Sequence, residues 1–214
     1  MVRRLHHEQI YRGGEVMQKL AATSVCICGA GALGSNLLIN LARTGFSQIT
    51  VIDRDRVEEH NIGTQVYCLD DVGGLKAEIV RNLVYREVGV EVQAQCQDLS
   101  ERNADKLLKH APIIIDTFDN SQSRKAVTEY CLAKDKVCLH AGVNNEYGQV
   151  VWNEVYRVPS DAGEDICDYP LARNLIMLVV SVASEALIRY VATGQKENFS
   201  ITVGDLQINR EGDL

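Results

Sequence analysis

Short apolar runs alternate with longer segments of helical hydrophobic spacing along most of the chain. The apolar runs are bounded by turn residues and are typical of buried parallel strands, whereas apolar positions three and four residues apart predict helices. The predicted strands cover residues 24–28, 48–52, 90–96, 112–115 and 136–140. The predicted helices between them cover residues 33–42, 75–88, 103–110 and 121–133. This order predicts an α/β fold with a doubly wound, mostly parallel, Rossmann-like sheet.

The last third of the chain follows a different pattern. Residues 148–156 alternate like a more exposed antiparallel strand, and residues 199–205 predict a closing strand, so we expect a C-terminal antiparallel extension. Between them, residues 159–170 form the one long irregular connection, and such loops often carry function. No linker-like stretch divides the chain, and we expect a single domain over residues 1–214.

The longest apolar segment, residues 171–192, needs a separate interpretation. Arg173, Glu185 and Arg189 interrupt it, and its uncharged run is shorter than the roughly 20 residues that a membrane span needs. We therefore expect a buried helix against the sheet.

Three glycines, Gly29, Gly31 and Gly34, stand where the first predicted strand turns into the first predicted helix. A side chain at Gly29 or Gly31 would hold a phosphate away from the N–H groups of the helix N-terminus, where the helix dipole favours negative charge. A side chain at Gly34 would push the helix away from the sheet. Asp53 ends the next strand, 19 residues after Gly34, where a carboxylate can accept from ribose hydroxyls. The pattern predicts a nucleotide site; the alternative is that the glycines only shape a tight turn.

Further polar residues lie at the ends of the predicted strands, the edge at which open α/β sheets bind ligands. Asp55 and Asn61 follow the second strand, and Asp116, Asp119 and Asn120 follow the fourth. Carboxylates at a strand end suit Mg²⁺ held between protein and phosphates, and Asp119 is our candidate ligand. The alternative is that Asp119 caps the helix that follows it.

Lys76 begins a predicted helix just after two glycines. From that place an ammonium group could reach phosphates bound at the same edge. The alternative is an ordinary solvated lysine.

Composition narrows the classes of function. The net charge of −7 and the pI of about 5.3 argue against nucleic acid as the main partner.

The N-terminus has basic residues but no apolar segment after them, so we expect no signal peptide, no membrane association and a cytoplasmic protein. The seven cysteines include no CxxC pair, which argues against a four-cysteine zinc site. Four of them are expected to be core residues: Cys26, Cys28, Cys131 and Cys138.

Several segments, taken in order, resemble the ThiF/MoeB/HesA family, whose fold the ubiquitin-activating enzymes share. The matching segments are GAGALGSNL, DRDRVEEHN, Gln65, GGLKAE, DTFDNSQSR, AGVNNEYGQV and ASEALIRYVATG. The resemblance covers nearly the whole chain. It implies a protein, usually a dimer, that binds ATP and Mg²⁺ and adenylates the C-terminal glycine of a ubiquitin-like or sulfur-carrier protein. We therefore expect a homodimer whose partner is a carrier ending in Gly-Gly.

The resemblance also implies roles for individual residues. The candidates for nucleotide binding are Gly29, Gly31, Gly34, Asp53, Asp55, Asn61, Gln65, Lys76, Asn120 and Arg124. Within this set, the glycines would cradle the phosphates, Asp53 would hold the ribose, and Asn61 and Lys76 would contact phosphates. Asp119 would coordinate Mg²⁺, in a loop that Asn120 and Arg124 support. Adenylation is mostly alignment and neutralisation of phosphate charge, which Lys76, Mg²⁺ and helix N-termini would provide without a general base.

The chain departs from the family pattern at two arginines. Thr64 stands where the family has the arginine of NLxRQ, and Glu8 stands where its N-terminal RYxRQ lends an arginine to the neighbouring subunit. Such arginines can contribute on the order of 10³-fold to phosphoryl transfer. Arg3, Arg4, Arg12 or a partner protein are the candidate substitutes.

Cys167 lies in the irregular loop where thioester- or persulfide-forming members of the family place their cysteine. A loop setting favours reactivity, because the thiolate must be accessible. Three acidic neighbours, Glu164, Asp165 and Asp168, would raise its pKa, and the glycine and valine that follow the family's cysteine are missing. A catalytic cysteine and a non-catalytic loop cysteine both stay open.

Two other functions compete with adenylation. The first βαβ unit alone would equally suit an NAD-dependent oxidoreductase, although we expect no second, catalytic domain within residues 1–214, and Lys76 with the DTFDN segment suits a triphosphate and Mg²⁺ better than a nicotinamide. The missing arginines favour a non-catalytic nucleotide-binding scaffold, or the less active half of a heterodimeric activating enzyme. The retained Lys76 and Asp119 oppose that alternative.

Overall fold

The computed structural model describes residues 3–159 and 170–211. Its described part contains one eight-stranded sheet in the order β3-β2-β1-β4-β5-β6-β7-β8. The strands are β1 Ser24–Cys28, β2 Gln48–Ile52, β3 Val92–Gln95, β4 Ile113–Asp116, β5 Val137–Asn144, β6 Tyr147–Trp152, β7 Asn198–Thr202 and β8 Gln207–Glu211. The first five are parallel and the last three are added antiparallel. The predicted doubly wound sheet with an antiparallel extension is confirmed.

Helices cover both faces of the sheet. They are α1 His6–Arg12, α2 Gly14–Ala22, α3 Ala32–Thr44, α4 Lys76–Val88, α5 Ala104–Leu108, α6 Ser121–Ala133 and α7 Arg173–Thr193. One apolar core joins one face of the sheet to α2, α3, α4 and α7. A second core joins the opposite face to α5 and α6, and it contains the buried thiols expected there: Cys26, Cys28, Cys131 and Cys138.

Helix α7 packs against α3 and against strands β5 and β6, as its sequence predicts. Apolar side chains along one face are buried, and Asn40 of α3 donates a hydrogen bond to the Ser184 hydroxyl on α7 (2.7 Å). By length and composition α7 could cross a membrane, with a mean hydropathy of 1.9 over a window that is half buried. These contacts make it a core helix of this fold.

The structure differs from the sequence prediction at both ends. Helices α1 and α2 were not predicted, because they bury little: of their residues only Leu20 is fully buried. The closing strand ends at Thr202 rather than at residue 205, since Gly204 and Asp205 lie in a turn. The chain then adds β8, whose residues are all exposed and therefore lack an alternating apolar pattern.

Candidate functional site

The candidate site lies at the carboxyl ends of the neighbouring parallel strands β1 and β4, from which the chain continues to opposite faces of the sheet. Strands β1 and β4 are neighbours, yet β1 leads into α3 on one face and β4 leads into α6 on the other. The loops after these strands separate at the carboxyl edge of the sheet. Ligands of open α/β sheets bind at such a switch point.

The three glycines of the first loop have three different reasons to be glycine. Gly29 has a φ of +99°, which side chains rarely tolerate, and its N–H donates to the Ile52 carbonyl (2.8 Å). A Cβ at Gly34 would lie 2.0 Å from the Gly29 carbonyl oxygen, so this residue allows α3 to approach the strand end. A Cβ at Gly31 would meet no atom within 4 Å, and its φ is −76°.

Gly31 is therefore the glycine that the described fold itself does not require. It is the N-cap of α3 and makes no side-chain capping bond there. The N–H groups of a first helical turn need partners, and an anion can supply them. An open glycine in front of that turn leaves room for a phosphate. A tight turn alone would explain Gly29 and Gly34 but not Gly31.

Asp53, at the end of β2, holds the glycine loop in place. Its side chain is buried and accepts hydrogen bonds from the backbone N–H groups of Ala30 (2.6 Å) and Asp55 (2.7 Å), one on each oxygen. Burial raises the pKa of Asp53, and these two hydrogen bonds and the nearby Lys76 oppose that rise. A carboxylate oxygen has a second lone pair, so a ribose contact at Asp53 remains compatible with this geometry and stays a prediction.

Lys76 is the first residue of α4 and only 8% exposed. Its Nζ lies 3.6 Å from Asp55 Oδ2, while the Asp55 side chain is more than half exposed. Lysines are seldom this buried unless paired. The alternative of an ordinary solvated lysine is therefore wrong, and the ammonium is held at the same strand edge as the glycine loop.

Tyr67 connects the glycine loop and α4, although no sequence motif points to it. Its buried hydroxyl lies 2.8 Å from the Ala30 carbonyl oxygen and 3.3 Å from the Lys76 carbonyl oxygen. It therefore joins the glycine loop to the first residue of α4. A tyrosine in a connecting segment carries no sequence signal for such a contact.

Asn61 and Gln65 lie in the segment between β2 and α4. Asn61 is buried, and its side-chain oxygen accepts from the Glu58 N–H (2.9 Å). Gln65 is half-buried, and its Oε1 atom is buried without a hydrogen-bond partner among the described residues. Asn36 of α3 donates to the Thr64 carbonyl (3.0 Å), which ties this segment to the glycine-loop helix.

The loop from β4 to α6 carries the candidate magnesium ligand. Asn120 is the N-cap of α6, because its side-chain oxygen accepts from the Ser123 N–H (2.8 Å). The alternative role for Asp119, a helix cap, is therefore wrong. Asp119 is exposed, and its Oδ1 accepts a long hydrogen bond from the Asn120 side chain (3.4 Å).

The carboxylates available at this edge do not form a metal site of their own. Within residues 3–159 and 170–211, no three His, Cys, Asp or Glu side chains could together hold a metal ion. Mg²⁺ is commonly held by one or two carboxylates together with substrate phosphates. The exposed Asp119, whose loop lies next to Gly29, is compatible with that arrangement.

Arg124 lies beneath this loop and faces inward. It is 7% exposed and donates to the Tyr156 hydroxyl (2.8 Å) and the Ala141 carbonyl (3.1 Å), with Asp116 3.8 Å away. Burial raises the pKa of Asp116, but Arg124 and a hydrogen bond from His140 outweigh it, so the pKa is lowered. The guanidinium therefore does not point to solvent, and a role of Arg124 in supporting the Asp119 loop stays a prediction.

Two of the candidate substitutes for the missing arginines, Arg4 and Arg12, lie elsewhere in the chain. Arg12 binds Glu8 (2.6 Å) and both carboxylate oxygens of Glu185 on α7. The Arg4 guanidinium lies beside Gly89, where a Cβ would meet it at 3.6 Å. Gly89 caps the far end of α4, about 20 Å along the helix from Lys76 at 1.5 Å per residue. Neither Arg4 nor Arg12 therefore reaches the nucleotide site of its own chain.

Cys167, the candidate loop cysteine, lies outside the described residues.

Curated relatives match about two thirds to three quarters of the chain. A probable molybdopterin-synthase adenylyltransferase of Gracilaria tenuistipitata var. liui is 32% identical over 142 residues, covering 64% of this chain and 39% of the relative. A sulfur carrier protein adenylyltransferase of Thermus thermophilus is 31% identical over 165 residues, covering 75% of this chain and 60% of the relative. The chain thus spans well under two thirds of the algal relative's length.

Solved structures show the same fold. Escherichia coli MccB with MccA-N7isoASN superposes with a TM-score of 0.83 at 19% identity, covering 99% of this chain and 72% of that one. The structure of MccB with ATP superposes with a TM-score of 0.81 at 20% identity, covering 99% and 71%. A model of the ThiF family matches residues 3–199, which is most of the sequence. The chain belongs to the ThiF family.

Proposed function

We propose that the chain is an adenylyltransferase, which uses ATP and Mg²⁺ to activate the C-terminal glycine of a ubiquitin-like or sulfur-carrier protein ending in Gly-Gly. One observation carries the proposal: the open Gly31 at the N-terminus of α3, the buried Lys76 and the exposed Asp119 all lie at the carboxyl edge of the sheet. They combine an anion cradle, a cation and an exposed carboxylate, as a metal triphosphate requires.

Each part of the site has a role toward ATP. The first-turn N–H groups of α3 would bind phosphate oxygens across Gly31, and Asp53 would bind the ribose. Lys76 is held where its ammonium can neutralise phosphate charge. Mg²⁺, bound by Asp119 and phosphate oxygens, would stabilise the charge of the leaving pyrophosphate.

The reaction needs little proton chemistry from the protein. A terminal carboxylate oxygen of the carrier bonds to the α-phosphorus, the bond from that phosphorus to the bridging oxygen breaks, and pyrophosphate leaves with the electron pair. The carboxylate is already ionised, so no base is required. The protein aligns the two anions and offsets their repulsion through Lys76 and the α3 N-terminus.

The relatives support this assignment by their names. The Gracilaria and Thermus proteins are called adenylyltransferases of molybdopterin synthase and of a sulfur carrier, and a 32% identical Haloferax volcanii relative is called a SAMP-activating enzyme E1. Because the chain spans only part of their lengths, substrate and partners are inferred from the site together with these names.

A non-catalytic scaffold is the second candidate, and one observation favours it. Glu8 and Thr64 replace two arginines, and Arg12 is neutralised by two carboxylates instead of facing a nucleotide. We also propose that the protein is a homodimer. Because residue 8 is a glutamate, the N-terminal segment of one copy would then not supply an arginine from that position to the nucleotide site of the other copy.

Two measurements test these alternatives. Thermal stabilisation by ATP but not by NAD would favour the adenylyltransferase over an oxidoreductase, because a ligand that binds only the native state raises its apparent stability. Mass spectrometry of a Gly-Gly carrier incubated with the protein, ATP and Mg²⁺ should reveal the addition of one AMP. ATP binding without any AMP-carrying product would establish the scaffold instead.

A further inference from the structure

A buried polar cluster lies beneath the loop that carries Asp119. Its members are Asp116, Arg124, His140 and Tyr156, each at most 7% exposed. His140 Nδ1 lies 2.9 Å from Asp116 Oδ2, and the His140 ring stacks on Tyr156 with centroids 3.6 Å apart. Arg124 completes the cluster by donating to the Tyr156 hydroxyl.

Packing alone does not account for His140. Its Nε2 atom is one of three buried side-chain atoms without a hydrogen-bond partner among the described residues. An apolar side chain of similar size would fill the space without burying an unpaired nitrogen, which costs free energy. The histidine therefore contributes through its other nitrogen, Nδ1, whose N–H donates to the ionised Asp116.

Asp116 also makes a hydrogen bond to the loop that carries Asp119. Its second oxygen, Oδ1, accepts from the Phe118 N–H (3.1 Å), the residue just before Asp119. Thr117 is fixed separately, because its N–H donates to the Cys28 carbonyl (2.9 Å). Asn120 is fixed by capping α6. The turn that presents Asp119 thus depends on the orientation of the Asp116 carboxylate, which has a hydrogen bond on each oxygen.

We infer that His140 is a positioning residue: by holding Asp116, it orients the loop that presents Asp119 to the magnesium–nucleotide complex. Without the His140 donor, the Asp116 carboxylate can rotate and release the Phe118 N–H. The inference rests on the proposed function, since it gives His140 an effect only through Asp119 and the metal. Losing a group that orients a metal ligand commonly reduces metal affinity about 10- to 100-fold.

Three variants separate positioning from stability. His140→Leu removes the donor and keeps the bulk, whereas His140→Asn keeps an N–H donor at the place of Nδ1 and removes the rest of the ring. Leu139→Ala is the matched control, because the neighbouring Leu139 packs in the core on the other face of the same strand. Amide hydrogen exchange of Phe118 in the nucleotide-free protein, and ATP affinity with Mg²⁺ or with EDTA, are measured for each.

His140→Leu should speed Phe118 exchange and reduce the gain in ATP affinity from Mg²⁺ about tenfold, with ATP affinity in EDTA unchanged. His140→Asn should retain most of the Phe118 amide protection and most of the Mg²⁺-dependent gain in ATP affinity. Leu139→Ala should lower Tm without changing either of these. In an Asp119→Ala background, His140→Leu should cause no further loss. An unchanged Phe118 amide, or an equal loss with and without Asp119, would overturn the inference. Wild-type protein that fails to bind ATP would instead overturn the proposed function, and this inference with it.

Discussion

Replacing Gly34 by alanine should destabilise the protein by about 3 kcal/mol. The added methyl carbon would lie 2.0 Å from the Gly29 carbonyl oxygen and 2.6 Å from Thr117 Oγ1. Unbonded heavy atoms settle near 3.5 Å, so the start of α3 would have to retreat by more than about 1 Å. Overpacking typically costs about 1–3 kcal/mol, and a clash with backbone belongs at the upper end. For a chain of this size that cost corresponds to a fall in Tm of about 6–12 °C.

Gly31→Ala is the matched control for this prediction. A methyl group there meets no atom within 4 Å, and a φ of −76° suits alanine. The stability should change by less than about 1 kcal/mol, since a poorer N-cap is partly offset by a less flexible unfolded chain. Its effect should fall on the ligand: the methyl group occupies the space in front of the α3 amides, and ATP affinity should drop about tenfold or more.

Urea unfolding and ATP titration of the two variants measure both effects. Gly34→Ala should lose stability, and Gly31→Ala should lose ATP affinity with its stability retained. If Gly34→Ala unfolded at the wild-type urea concentration, the assigned contact between α3 and the glycine loop would be wrong. If Gly31→Ala bound ATP like the wild type, the phosphate cradle would have to be placed elsewhere.

The remaining predictions concern individual side chains at the site. Lys76→Ala and Asp119→Ala should each lower adenylation about 100-fold or more while leaving the circular dichroism spectrum unchanged, and undiminished turnover would refute their placement at the triphosphate. Tyr67→Phe should cost about 1 kcal/mol in urea unfolding and raise the KM for ATP, because it removes the bond to the Ala30 carbonyl; a change in stability without a change in KM would limit Tyr67 to the fold. Cys167→Ala should leave pyrophosphate exchange nearly unchanged, and loss of exchange would show that this cysteine acts before the adenylate forms.

The sequence predicts the central sheet well, because buried parallel strands and their helices have strong periodic signals. It also predicts Gly34 as a packing glycine, since that position follows from the spacing of the strand-to-helix turn. It does not predict β8 or helices α1 and α2, because these elements are largely exposed and only α2 packs a few apolar residues against the core. The hydrophobic periodicity of the sequence is a weak signal wherever a helix or strand contributes few side chains to the core.

The sequence does not predict which side chains are partners within the site, because these contacts depend on the three-dimensional arrangement. Asp119 and Asn120 are adjacent and both suit an N-cap, and only the backbone geometry shows that Asn120 takes that role. Tyr67 and His140 act through contacts with residues 9 to 37 positions away in sequence, which no local pattern encodes. The ion pair that holds Arg12 away from the nucleotide site likewise involves Glu185, which is 173 residues further along the chain.

ATP–pyrophosphate exchange by the purified protein with Mg²⁺ tests the central claim most directly. It should be run with candidate ubiquitin-like and sulfur-carrier proteins ending in Gly-Gly, and with Lys76→Ala as the control. Exchange that requires one carrier and is lost in the variant is the predicted result, and it would also identify the substrate. ATP binding without exchange for any carrier would contradict the claim, and would mean that the arginines absent at positions 8 and 64 are decisive.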